Sequence, residues 1–154
     1  MSPAEHLAEV LAHEAELYER LLELLGEEEA ALVAGDTRAV AGCLARSETL
    51  VLRLRLLETS RRTLVAQLTG CPDARLTEVP GADDGALGRA RARLTAVLPR
   101  VERANRRVTA LLERSLRLFD ATLELIRSAA GLGRHYTAAG TLVVAGRPTL
   151  DGSA

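Results

Sequence analysis

Residues 2–36 read SPAEHLAEVLAHEAELYERLLELLGEEEAALVAGD. Ser2, Pro3 and Glu5 spell the start of a helix. The Ser can cap it, the fixed φ of Pro suits the first helical position, and the carboxylate three residues on closes a capping box. Leu7, Leu11, Glu14, Tyr18, Leu21, Leu25, Glu28 and Leu32 then follow in alternating steps of four and three, the heptad spacing of a helix with one buried seam. Val10, Leu17, Leu22 and Leu24 widen that seam into a stripe broad enough to face a bundle. Gly35 stops the helix and Asp36 can cap the next one. So short a connection obliges the second helix to double back as an antiparallel hairpin.

Working outward, the pattern predicts helices over about 3–34, 37–69 and 85–130, with a linker over 70–84. The second helix has Val40, Leu44, Ser47, Val51, Leu54, Leu57, Leu64 and Leu68 along its apolar side. Gly70, Cys71 and Pro72 end it. The linker, rich in Pro and Gly, can travel back along the hairpin. The third seam runs Leu94, Leu98, Val101, Asn105, Val108, Leu112, Ser115, Phe119, Thr122, Ile126 and Ala129. Pro99 lies inside it. Because the heptad phase survives across that Pro, a kink within one long helix is expected rather than a break. Such a helix would be roughly 69 Å long and exceed a hairpin of about 48 Å by some 20 Å. Residues 132–154 have no helical period. Thr141–Val144 could be a strand only if a partner supplied another. The expected fold is therefore all-α: an elongated antiparallel helical hairpin plus a long third helix, a three-helix coiled-coil-like bundle over 1–131, followed by a flexible C-terminal tail over 132–154.

Composition agrees with that reading. Leu occurs 29 times and Ala 26 times in 154 residues, while the aromatics are Tyr18, Phe119 and Tyr136 alone. A β-sandwich or a nucleotide-binding α/β sheet would want Val, Ile and aromatic runs that are missing. The net charge of −1 hides an asymmetry: residues 1–36 hold ten acids against Arg20, and the remainder holds 19 Arg against 11 acids. Acidic and basic helices packed together explain this best. No run is long and apolar enough to span a bilayer, so no membrane insertion is expected. The start of the chain has no basic, apolar signal core, which points to the cytosol. Cys43 and Cys71 fall near opposite ends of one helix, roughly 40 Å apart, too far for a disulfide; they read as reduced thiols.

The residues offer little chemistry. His6, Glu9, His13 and Glu16 share one helical face, but a di-iron bundle draws ligands from facing helices, and the second and third helices contain no His. They read as a solvated acidic face, with no metal or cofactor implied. No Gly-x-Ser-x-Gly, phosphate loop or Cys–His arrangement is present, so no catalytic residue and no enzyme activity is expected. The Arg residues of the third helix lie all around it without an aromatic platform, which argues for pairing with acidic helix 1 and against nucleic acid. Glu14, Glu28, Asn105 and Ser115 sit in the seams where Leu would be more stabilising. They either set register or mark a seam not fully closed.

Read in order, Glu29-Ala-Ala-Leu32, Gly35-Asp36, Leu44, Leu50, Leu54, Leu57-Glu58, Arg61-Arg62, then Asn105, Leu111-Leu112 and Tyr136-Thr-Ala-Ala-Gly140, the chain resembles the FlgN-like flagellar export chaperones over about residues 5–140. It departs from them at Val108, often Asn, and at Thr137, usually Gly. The resemblance implies a non-enzymatic protein of the cytosol. Its cargo would be the C-terminal segments of hook–filament junction proteins, kept from premature assembly and delivered to the flagellar type III export gate. Cargo is expected on the apolar side of the third helix at Leu112, Leu116, Phe119, Leu123 and Ile126, because an exposed apolar stripe needs a partner and an amphipathic helix is the natural cover. Tyr136, past the helix stop, is the expected contact to the export gate, an amphipathic ring suited to anchor an interface. The competing function is a structural or regulatory coiled-coil adaptor that homo-oligomerises through the same stripe.

Overall fold

The computed structural model describes residues 1–130 and, beyond them, the backbone of 133–136 and 142–145. Three helices carry the fold: α1 (Pro3–Ala34), α2 (Thr37–Thr69) and α3 (Gly85–Ala129), with one turn of 3-10 helix at Leu76–Glu78. The class is all-α, as the heptads require. Contacts divide the chain into two compact units, Met1–Leu111 and Leu112–Ala154, a division inside α3 rather than at residue 131, where the periodicity ends.

Within the first unit, each connection is made by the residues that announce it. Ser2 Oγ accepts from the Glu5 amide at 3.2 Å while Glu5 Oε2 accepts from the Ser2 amide at 2.7 Å, so two orphan donors of the first turn are satisfied reciprocally. Gly35 ends α1 at φ 69°, a left-handed conformation that a residue with a Cβ resists. Asp36 Oδ1 then accepts from the Ala39 amide at 3.0 Å and starts α2. The segment between α2 and α3 is held down by Val79 and Ala82, which are buried, and by a hydrogen bond from the Arg75 amide to Glu78 Oε2 at 2.7 Å.

α3 returns parallel to α1. Arg93 reaches Glu19 and Arg107 reaches Glu29, so residue numbers rise together along the two helices. The Arg93–Glu19 pair is a two-bond fork, at 2.7 and 2.6 Å, and its guanidinium holds the Glu19 carboxyl below the usual range. This is the packing of acidic helix against basic helix that the charge asymmetry implies. The core comprises Leu7, Leu11, Ala15, Leu21 and Leu25 of α1, Leu50, Leu54 and Leu64 of α2, and Leu94, Val97 and Val101 of α3. Each fully buried Leu or Val contributes about 1.5–3 kcal/mol.

Two sequence expectations are corrected. The buried face of α3 is Leu87, Ala90, Leu94, Val97, Val101, Ala104 and Val108, not the line through Leu98 and Asn105, which are exposed. Both lines share Leu94, Val101 and Val108. The observed one takes the small Ala104 in place of Asn105, whose amide would lose water without gaining a partner. The second correction concerns the segment after α3, read as having no strand partner. Gly133–Tyr136 (β1) and Leu142–Ala145 (β2) pair antiparallel, with Tyr136 opposite Leu142 and Gly133 opposite Ala145. The β-branched Val143 and Val144 suit a strand, but Gly-Arg-His-Tyr gives no such signal, so its partner was invisible. The rest of the expected tail lies outside the described residues. Pro99 leaves α3 continuous: it is exposed, as is Thr95, so the carbonyl that Pro99 cannot bond faces water.

Candidate functional site

Two acidic residues lie inside the α1 seam, where a buried charge is either neutralised or put to use. Glu14 and Glu28 are 3% and 2% exposed. Glu14 Oε1 accepts from Arg61 Nε of α2 at 3.2 Å, yet burial outweighs that cation and pushes the carboxyl up. Glu28 has no such partner: its Oε1 is buried without a hydrogen bond, and burial raises its pKa. Burial therefore disfavours its ionised form. Asn105 and Ser115, expected beside them, are exposed and belong to no closed seam. Glu14 and its Arg61 pairing fix the register of α1 on α2, which is a structural role.

An extended exposed apolar surface lies, among the described residues, on α3 in the second unit. Among the described residues, α3 buries nothing after Val108, although its composition there is richer in large apolar side chains. Leu116, Leu118, Phe119, Leu125 and Ile126 are between 59% and 72% exposed; Leu112 and Leu123 are half-buried. Leu112, Leu116, Phe119, Leu123 and Ile126 fall within an arc of about 80° on the helix. The sequence reading thus named one continuous face. It missed Leu118 and Leu125, seven residues apart and roughly 120° further round. Their seven-residue spacing is the signal for a second line beside the first seam. Between the two lines, the Thr122 hydroxyl donates to the Leu118 carbonyl at 2.8 Å, so its polar atom is spent internally. The face is apolar over close to half the circumference, and Arg127 and Glu124 pair beside it at 3.6 Å.

Such a face has the shape and chemistry to pack against another apolar face, most readily a helix. Tyr136 is placed by the backbone at the end of β1; its side chain lies outside the described residues. His6, Glu9, His13 and Glu16 are all exposed, and Arg93 approaches Glu16 at 3.9 Å. Cys43 is buried and Cys71 exposed, both free. No described helix is long and apolar enough to cross a membrane.

Comparison with known proteins gives one match. A family model described as FlgN protein covers residues 1–143, and thus both helical arms, α3 and β1. No curated protein and no solved structure matches the chain.

Proposed function

The chain belongs to the FlgN protein family, a family of flagellar export chaperones rather than of enzymes, and from that membership we propose its cargo and its destination. The cargo is the C-terminal segment of a hook–filament junction protein, taken as an amphipathic helix on α3 between Leu112 and Ile126. The destination is the flagellar export gate, with Tyr136 as the contact. One observation supports the cargo site above all: five large apolar side chains of α3, between Leu116 and Ile126, stand exposed within about three turns. A chaperone that shields an aggregation-prone segment must itself offer apolar surface, and this stretch of α3 offers it.

The test is calorimetry with a synthetic C-terminal segment of a junction protein from the same flagellum. Phe119→Asp with Ile126→Asp should lower affinity at least a hundredfold while the helical circular dichroism signal persists. Tyr136→Ala should leave cargo affinity unchanged and reduce junction-protein secretion. Unchanged cargo binding by the double variant would displace the site. If the same substitutions instead dissolve a homodimer and no junction segment binds, the stripe serves a coiled-coil adaptor.

A further inference from the structure

A second surface is built into the first unit, on the side of the hairpin lined by α1 and α2 alone. Two adjoining depressions share Arg53 and together form one trough. The half-buried Leu17 of α1 and Leu57 of α2 line one end of it, and the buried core residues Leu24 and Leu50 form the floor of the other. Leu56 stands on its lip at 71% exposure. From His13 to Glu27 the lining covers about 21 Å of α1, the length of a four-turn helix with leucine-sized anchors one heptad apart.

The charges on the rims choose among occupants. Arg20 is the one cation among ten acids in the first 36 residues, and it stands on the α1 rim of this trough. Arg53 stands on the α2 rim. Neither takes part in an ion pair among the described residues. At the far end, Glu27 is already engaged by Arg46 at 2.7 Å, leaving Glu23 as the remaining carboxylate of the lining. A second copy related by a two-fold axis centred on the trough would bring two more guanidiniums to the level of Arg20 and Arg53, and like charges there oppose it. A helix flanked by carboxylates would pair with both rims while its apolar face covers Leu56 and Leu57. We infer that this trough is a docking surface for an amphipathic helix of a partner protein with acidic flanks, separate from the stripe on α3 and independent of its function.

The experiment uses the full chain and two stapled helical peptides of about eighteen residues, each with leucines at heptad spacing. One carries Glu on both flanks of the leucine face and the other carries Lys. The acidic peptide should bind about tenfold more tightly than the basic one, the effect of two rim pairs, and the preference should shrink with salt. Arg20→Glu with Arg53→Glu should invert it. These side chains are rim-exposed, and a melting curve confirms that the variant folds. Leu56→Asp should weaken both peptides, whereas Phe119→Asp with Ile126→Asp should change neither. Equal affinity for the two peptides overturns the inference. So does loss of binding on the α3 variant alone, or a dimer in sedimentation that Leu56→Asp disperses.

Discussion

α3 is one helix with two kinds of apolar face. From Leu87 to Val108 its inward residues are Leu, Ala, Leu, Val, Val, Ala and Val, and all seven are buried. From Leu112 to Ile126 its large apolar residues are Leu, Phe and Ile, and none is buried. Hydrophobic periodicity is equally clear in both. What differs is size. Small side chains at alternate seam positions let another helix of the same chain approach closely, as knobs fit holes only when the holes are shallow enough. Large side chains left uncovered present more apolar area to solvent. In this chain, the volume of the apolar residues differs between the buried and the exposed part of α3, where their spacing does not.

That contrast makes a sharp mutational forecast. Val101→Asp places a charge in the closed part of the seam and should cost about 3–5 kcal/mol, enough to unfold much of the bundle in a urea titration. Phe119→Asp puts the same carboxylate on the open part and should shift stability by no more than about 0.5 kcal/mol. Equal losses would break the comparison.

The start of α3 offers a second, smaller contrast. A Cβ on Gly88 would collide with the Asp83 carbonyl, so Gly88→Ala should destabilise by about 1–3 kcal/mol despite the better helix propensity of Ala. Gly26, inside α1, has open space around it, and Gly26→Ala should stabilise by about 0.5–1 kcal/mol. Thermal melts of the two variants moving in the same direction would show that α3 is not anchored at Asp83.

Glu28 sharpens the closed side further. Its carboxyl is held above the ordinary value of 4.5 by burial, so the folded chain binds the proton more tightly than the unfolded one. The sign follows: what the neutral form contributes is complete below about pH 4.5 and is lost as pH rises through the raised value. Glu28→Gln should therefore stabilise by about 1 kcal/mol at pH 7, with the gain shrinking toward pH 4. A gain independent of pH would mean that burial does not raise the Glu28 pKa in the fold.

Much of this was legible in the residues. Ser2, Glu5, Gly35 and Asp36 marked the helix ends because capping is local chemistry. The stripe from Leu112 to Ile126 was legible because one face of a helix is a matter of spacing. The face of α3 that packs was misread at Leu98 and Asn105, since choosing between adjacent lines depends on the surface of the neighbouring helix. The strand pair was unreadable for a related reason: Gly133–Tyr136 becomes a strand by virtue of its partner and not of its own side chains. The trough beside Arg20 and Arg53 needs two helices to exist at all, so neither α1 nor α2 could disclose it separately.

The two arms of the hairpin are almost equal in length but not in burial: α1 sinks eleven residues, α2 only five of its thirty-three. That inequality is also a statement about time. Amide protons of a helix with few buried side chains exchange through local openings well below the global unfolding free energy. Deuterium should therefore enter α2 earlier than α1, first near Leu44 and Leu52, whose side chains lie in solvent. The arm that is loosest on that clock is also the arm that carries Arg53 and Leu56, so a helix seated there would be seen first as a slowing of its exchange.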